Sequence, residues 1–148
     1  MEWVLKKFDD MTLAELYSVL QLRSEVFIVE QNCVYLDPDG KDMSAWHLMG
    51  VINERLVAYT RLLPPGVSYE DPSIGRVVTS KRDRGSGMGR KLMHKSIEQC
   101  IILFGDRPIT LGAQIYLQKF YESLGFMHVG KQYIEDGIPH IRMTRKVS

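Results

Sequence analysis

The chain of 148 residues has only two cysteines, Cys33 and Cys100, and no long apolar segment. No stretch approaches the roughly 20 apolar residues that a membrane-spanning helix needs. The first residues, MEWVLKKFDD, have no apolar signal-peptide core, and the two cysteines are not spaced like metal ligands. We therefore expect a cytoplasmic protein with reduced thiols, no membrane partner and no bound metal, while the sequence alone leaves a disulfide open.

The chain also lacks an excess of charge of either sign. It has 19 Lys and Arg residues against 18 Asp and Glu residues, for a formal net charge of +1. Domains that bind nucleic acid are usually strongly basic, so this balance argues against a nucleic-acid partner. The hydrophobic share of 45% and the charged share of 25% are ordinary for a globular protein. The length predicts one domain over residues 1–148.

Internal repeats and linkers are absent as well, and the hydrophobic pattern predicts the first elements. The segment MEWVLKKF is interpreted as a strand. Thr12 and Glu15 have the spacing of a capping box, which predicts a helix over TLAELYSVLQL. One face of this helix carries apolar residues at helical spacing, and we expect that face to be buried: Leu13, Leu16, Tyr17 and Leu20.

The rest of the chain alternates strands with helices. WHLMGVI and LVAYTRLL are predicted as strands around a tight turn, and SIGRVVTS as a third strand. A helical pattern from Ser86 to Phe104 follows, then a strand at PITLGA, a helix at YLQKFYESLGF and a closing hairpin. This order predicts an α+β fold with a mixed, mostly antiparallel central sheet flanked by helices.

A glycine-rich stretch, RGSGMGRKL at residues 84–92, joins the third of these strands to the long helix. It lacks the Lys-Ser/Thr ending of a Walker A loop, and its place after antiparallel strands does not suit a Rossmann fingerprint. The backbone amides would converge at a helix N-terminus, where the helix dipole favours an anion. Five basic residues and one acidic residue give segment 81–91 a local charge of +4. The stretch therefore favours a compact polyanion such as a pyrophosphate.

At these residues the sequence resembles the GNAT superfamily of acyl-CoA N-acyltransferases. RGSGMG fits the family pattern Arg/Gln-x-x-Gly-x-Gly, read as Arg84, Gly87 and Gly89. QIYLQKFYESLGF is similar to the second family signature, with Gln114 in a place where the family usually has Asn, followed by Tyr121, Gly125 and Phe126. LQLRSEVFIVEQNCVYLDPDG, GRVV, LGAQ and EDGIPHIRM resemble the ElaA-like branch of that superfamily.

The resemblance implies a splayed pair of strands that holds acetyl-CoA. The pantetheine arm would bond to strand backbone, the pyrophosphate would lie on loop amides, and Gln114 would contact the donor. The implied binding residues in strand and loop are Val77, Val78, Thr79, Arg84, Gly85, Ser86, Gly87, Met88, Gly89 and Arg90. The implied activity is N-acetylation of a small amine or a peptide amine by direct attack in a ternary complex.

The resemblance also implies catalytic roles. The Val78 amide would stabilise the developing oxyanion, and Tyr121 would protonate the leaving thiolate. A base must take a proton from the amine, because a protonated alkylamine is not nucleophilic. The candidates from strands and loops expected near the cleft are Glu30, His47, Glu135 and His140.

Residues 25–42 contain five acidic residues and one lysine, a local charge of −4. In the layout that the resemblance implies, this segment forms one wall of the acceptor side and would attract a cationic amine. A solvated acidic loop explains the same composition. Three functions stay open from the sequence: an N-acetyltransferase, a non-catalytic acyl-CoA-binding module, and, disfavoured by charge, a nucleic-acid-binding domain. A homodimer is also left open.

Overall fold

The structure, a computed structural model, describes residues 1–147. Seven strands form one sheet in the order β1-β2-β3-β4-β5-β7-β6. Within the described residues, neighbouring strands are antiparallel except β4 and β5, which are parallel. The strands are β1 Glu2–Lys7, β2 Trp46–Ile52, β3 Arg55–Leu63, β4 Ser73–Thr79, β5 Ile109–Gln114, β6 Phe126–Glu135 and β7 Ile138–Arg145. The predicted mixed α+β fold is confirmed.

Three α-helices flank the sheet: α1 Leu13–Arg23, α2 Met88–Phe104 and α3 Gln118–Glu122. The capping box of α1 is present, because Thr12 Oγ1 accepts from the Glu15 amide at 3.1 Å and Glu15 Oε1 accepts from the Thr12 amide at 2.8 Å. A π-helical segment, Ser24–Glu30, continues α1. None of the described helices is long and apolar enough to cross a membrane.

The buried face of α1 differs from the predicted one. Leu13 and Tyr17 are exposed, at 86% and 72% of their surface. Leu16 and Leu20 are half-buried, and the buried residues are Val19, Leu22 and Arg23 of α1 and Val26 of the π-helical segment. The prediction was wrong for Leu13 and Tyr17, and it missed Arg23, whose buried carboxylate partners a hydrophobic pattern does not show.

The main core lies between α2 and the second half of the sheet. Met93, Ile97 and Cys100 of α2 pack in one cluster with strand residues that include Leu62 and Ile109. Both cysteines are free, and burial raises the pKa of the Cys100 thiol to about 12. Cys100 therefore acts as a small core residue and stays protonated at neutral pH.

Candidate active site

The parallel strands β4 and β5 separate soon after they meet. They pair at Ser73 and Thr110, and beyond that pair a cavity of about 330 Å³ opens between them. Three groups of residues complete its lining: the π-helical segment and the residues after it, the turn before α3 together with Tyr121 of α3, and the turn of the β6–β7 hairpin. The predicted splay of a strand pair is therefore present, and the gap leads from the glycine loop to the hairpin.

The register of β4 decides which of its amides face this gap. The Ser80 amide donates to the Val57 carbonyl of the β3 side at 2.8 Å, and Tyr59 is the partner of Val78. Hydrogen-bonded pairs alternate along an antiparallel ladder, so the Val78 amide also faces β3. The role expected for the Val78 amide, donation to an oxyanion in the gap, is therefore wrong.

The amides of Val77 and Thr79 face the gap instead. An independent contact supports this register, because Arg84 Nη2 donates to the Thr79 carbonyl at 3.0 Å from the open side. The irregularity in the β3–β4 ladder lies between Tyr59 and Arg61, next to Arg76, whose φ is +49°. A bulge bends the strand that carries it, and beyond this point β4 no longer pairs with β5.

The glycine loop leaves its amides free at the start of α2. Gly85 and Gly87 have φ of +92° and +76°, and a Cβ at either would meet no atom within 4 Å. Gly87 is the N-cap, and no side chain caps the helix there. The first bond onto the Gly87 carbonyl comes from the Lys91 amide at 3.1 Å. The amides of the preceding helical residues have no intrahelical acceptor, as an anion-binding loop requires.

The side chains around this loop have separate roles. Met88 packs into the core beside Leu92, so its amide alone is available to a ligand. Arg90 Nη2 donates to Ser123 Oγ at 2.9 Å, and its guanidinium lies 5.8 Å from the centre of the Phe120 ring. Arg90 is thereby directed towards α3.

Tyr121 and Gln114 both line the cavity. Tyr121 is 5% exposed and packs edge-on against Phe120 and Phe126. Burial raises the pKa of the Tyr121 hydroxyl, so the phenol holds its proton at neutral pH. Gln114 ends β5 opposite His140, and its Nε2 lies 3.5 Å from Gln31 Oε1.

His140 lies across the cavity lining from β4, on β7. Its Nδ1 is 2.7 Å from the Ile138 carbonyl oxygen. A carbonyl only accepts, so Nδ1 carries the proton and Nε2 has the free lone pair in the neutral ring. Glu135 Oε2 lies 3.7 Å from Nε2. The imidazole is therefore in the tautomer that can accept a proton at Nε2.

Glu30 lines the cavity mouth but is engaged by a cation. Arg84 Nη1 and Nη2 donate to its two carboxylate oxygens at 2.5 and 3.0 Å. The hydrogen bonds from Arg84 lower the pKa of Glu30, so Glu30 accepts protons more weakly than an ordinary carboxylate. This pair closes one side of the gap between the π-helical segment and the glycine loop.

His47 is not brought to the cavity. It is fully buried, and both of its ring nitrogens are engaged, with Tyr59 Oη at 2.6 Å and the Asp42 carbonyl at 2.9 Å. Burial lowers the pKa of His47. Its expected candidacy as the base is therefore wrong, because no acceptor amine could reach it.

The acidic segment 25–42 is not an open negative wall. Asp42 and Asp37 bind the fully buried Arg23, each through an oxygen at 2.8 Å. Arg61 Nη1 contacts Asp39 at 2.8 Å and Asp42 at 3.0 Å. A third arginine, Arg76, lies 2.9 Å from Asp37. The three aspartates and three arginines form a neutral network, so the expected attraction of a cationic amine by these aspartates is wrong.

Sequence reasoning missed Arg76, Tyr35 and Tyr133. Arg76 and Tyr35 line the cavity, and Tyr133 stacks on His140. The signal for Tyr133 was available, because the Asp136-Gly137 turn fixes the hairpin register that pairs it with His140. Arg76 and Tyr35 depend on the bulge in β4 and on an irregular loop, which no residue pattern indicates.

Comparison with known structures first defines the class of protein. A crystal structure of an acyl-CoA N-acyltransferase from Pseudomonas aeruginosa is 44% identical, with a TM-score of 0.92, over 98% of this chain and 99% of that chain. An aminoglycoside 6'-N-acetyltransferase complexed with coenzyme A shares the fold, with a TM-score of 0.71 at 17% identity, over 97% and 96% of the two chains. The fold is therefore that of the acyl-CoA-dependent N-acyltransferases.

The family follows from the sequence match. Residues 42–147 match the family model described as an acetyltransferase (GNAT) domain, and the chain belongs to this family. It is similar to the protein ElaA of Escherichia coli K12, with 46% identity over 99% of this chain and 97% of that protein. The crystal structure of Escherichia coli ElaA has a TM-score of 0.91 at 45% identity, over 98% and 99% of the two chains. The resemblance drawn from the sequence is confirmed.

Proposed function

We propose that this protein is an acetyl-CoA-dependent N-acetyltransferase that acts on the amine of a small molecule or an exposed peptide. The amine attacks the thioester directly in a ternary complex. One observation carries the proposal: Tyr121 and His140, a group that holds a proton and a group that can accept one, line the same cavity between the splayed strands.

The free backbone of the chain fits an acyl-CoA. The amides of residues 84–90 would hold the pyrophosphate, since Gly85 and Gly87 leave open space where a Cβ would otherwise stand. The backbone of β4 at Val77 and Thr79 would bond the acyl-CoA, as an added strand would. Gln114, at the end of β5, would contact the donor near the reacting end.

The chemistry requires two proton transfers and one stabilised charge. His140 Nε2 takes the proton that the amine loses, directly or through one water. Tyr121 gives its proton to the departing sulfur. The Val77 amide, which faces the gap, donates to the oxyanion that develops on the thioester carbonyl. Glu30 stays an anion that holds Arg84 and is not the base in this scheme.

The test is an acetylation screen with a broad amine library and thiol detection. With an acceptor in hand, Tyr121→Phe and His140→Gln should each lower kcat by roughly 10²–10⁴-fold, the usual range for a general acid or base. The affinity for acetyl-CoA should change little. Tyr17→Phe and His128→Gln are matched controls, because both residues are exposed and outside the cavity lining of the described chain.

Two outcomes would contradict the proposal. If Tyr121→Phe turned over with the wild-type kcat, Tyr121 would not be the general acid. Tight acetyl-CoA binding with no thiol release across the library would favour the non-catalytic acyl-CoA-binding module.

A further inference from the structure

Tyr133 stands behind the candidate site, and the proposed chemistry gives it no role. It lies on β6 directly opposite His140 on β7. The two rings are stacked, with centroids 5.7 Å apart and planes at 26°. Within the described residues, His140 belongs to the cavity lining and Tyr133 does not. The phenol therefore covers the imidazole from outside the cavity.

The place of Tyr133 depends on a glycine two strands away. Its side chain crosses β7 and brings its hydroxyl over Gly112 of β5, where a built Cβ would overlap the hydroxyl oxygen. The Tyr69 hydroxyl lies 3.3 Å from the same Cβ position, and Arg142 covers the Tyr69 ring at 4.9 Å. The Tyr133 ring is thus stacked on His140, and its hydroxyl occupies the space that the missing Cβ of Gly112 leaves open.

The hairpin turn sets this arrangement. Asp136 and Gly137 have φ of +51° and +76°, as a two-residue turn of type I′ requires. That turn places Glu135 opposite Ile138 and Tyr133 opposite His140. The Ile138 carbonyl, two residues before His140 on the same strand, accepts from His140 Nδ1. The turn therefore supplies the stacking partner of the imidazole, and β7 itself supplies the hydrogen-bond acceptor.

We propose that Tyr133 is a positioning residue for His140, and that Gly112 is required to admit it. The stacked phenol stops the imidazole from rotating away from the Ile138 carbonyl, so the proton stays on Nδ1 and the lone pair stays on Nε2. The inference rests on the proposed function, in which His140 is the base, because the value of a fixed tautomer is a correctly placed lone pair.

Other polar groups face His140 and do not fix its ring in this way. Glu135 lies 3.7 Å from Nε2, beyond hydrogen-bond distance. Gln114 pairs with His140 through the strand backbone. Asp136 at the turn and Tyr35 across the cavity line the same space, and Arg142 is directed to Tyr69. Among these groups, the Ile138 carbonyl and the Tyr133 ring alone contact the imidazole at bonding or stacking distance.

The first experiment needs no acceptor. In protein labelled with ¹⁵N-histidine, His140 is assigned by its loss in His140→Gln, and spectra are taken at about pH 8.5, two units above the ordinary histidine pKa. The wild type and Tyr133→Phe should show one tautomer, with widely separated Nδ1 and Nε2 resonances and upfield-shifted ring protons. In Tyr133→Leu the nitrogen resonances should converge and the upfield shift should vanish. A Tyr133→Leu spectrum identical to the wild type would overturn the proposal.

The second experiment is a rescue from the opposite strand. Gly112→Ala should disturb the His140 resonances although its methyl group is in contact with Tyr133 and not with the imidazole, because that methyl group displaces the Tyr133 hydroxyl. In the double variant Gly112→Ala, Tyr133→Phe the obstructing oxygen is gone, and the wild-type spectrum should return. A Gly112→Ala protein whose His140 resonances match the wild type, or a double variant that is not rescued, would contradict the role of Gly112.

Activity separates this inference from the function on which it rests. Once an acceptor is known, Tyr133→Leu and Gly112→Ala should lower kcat by about 10- to 100-fold with the KM for acetyl-CoA unchanged, and the double variant should recover. If the spectra change as expected while kcat does not, Tyr133 positions His140 but His140 is not the base. That result rejects the base assignment and leaves the spectroscopic result standing.

Discussion

The prediction that follows most directly from the buried network concerns Asp42. Its carboxylate accepts from Arg23 Nη1 at 2.8 Å and from Arg61 Nη1 at 3.0 Å. Asp42→Asn keeps the size of the side chain and removes its charge, which leaves a fully buried arginine with one carboxylate partner fewer. Breaking a buried ion pair from one side costs about 3–5 kcal/mol. At about 2–4 °C per kcal/mol for a chain of this length, we expect the melting temperature to fall by roughly 10 °C.

The pH dependence of stability tests the same contacts of Asp42 with Arg23 and Arg61 in a second way. Burial alone would raise the pKa of Asp42, but hydrogen bonds from Arg23 and Arg61 outweigh it and lower the pKa below its usual value. Asp39 is lowered in the same way by Arg61. A carboxyl whose pKa is lower in the folded state stabilises the fold above its unfolded pKa, about 3.9. That contribution is lost as the pH falls through the folded pKa.

The assay is urea unfolding of the wild type and Asp42→Asn at pH 7 and at several values below pH 4. The difference in the free energy of unfolding should be full at pH 7 and should shrink at the lowest pH values. Glu25→Gln is the matched control, because it removes a negative charge from the same segment at an exposed position and should change stability by less than about 0.5 kcal/mol. A loss below 1 kcal/mol for Asp42→Asn at pH 7 would refute the reasoning.

Two further predictions concern the donor side of the cavity. Gly89→Ala should raise the free energy of unfolding by up to about 1 kcal/mol, because alanine favours a helix over glycine and the new Cβ would meet Phe120 no closer than 3.8 Å. Calorimetry should show weaker acetyl-CoA binding by this variant. An unchanged affinity would mean that the pyrophosphate does not bind at this loop. Arg84→Gln should change stability by less than about 1 kcal/mol, since its pair with Glu30 is partly exposed, and the KM for acetyl-CoA should rise; a large stability loss with an unchanged KM would make the pair a purely structural contact.

The sequence predicted the order of the elements because local signals specify them. The capping box at Thr12, the glycine-led start of α2 and the Asp136-Gly137 turn each encode their own geometry. The buried face of α1 could not be predicted in this way. Leu13 and Tyr17 have helical spacing but are exposed, whereas Arg23 is buried with aspartates that come 14 and 19 residues later. Long-range charge pairing is absent from any local hydrophobic pattern.

The acidic segment shows the same limit for function. Counting charges along residues 25–42 gave −4 because the compensating arginines lie on other elements: Arg23 ends α1, Arg61 belongs to β3 and Arg76 to β4. The fold brings these cations onto Asp37, Asp39 and Asp42. A local net charge predicts an attraction only where the charges remain unpaired, and pairing is a property of tertiary structure.

The oxyanion donor that we propose is a further instance, since the sequence pointed to Val78 and the register favours its neighbour Val77. The resemblance implies a donor-binding role for residues 77–79, but successive residues of a strand direct their amides to opposite sides. The bulge next to Arg76 and the bond from the Ser80 amide to Val57 decide that Val78 serves the sheet and that its neighbours serve the gap. A shift of one residue in that bulge would exchange the two roles without any change in the motif. The residue types therefore indicate the kind of chemistry at this site, whereas the register between β3 and β4 determines which backbone groups can take part in it.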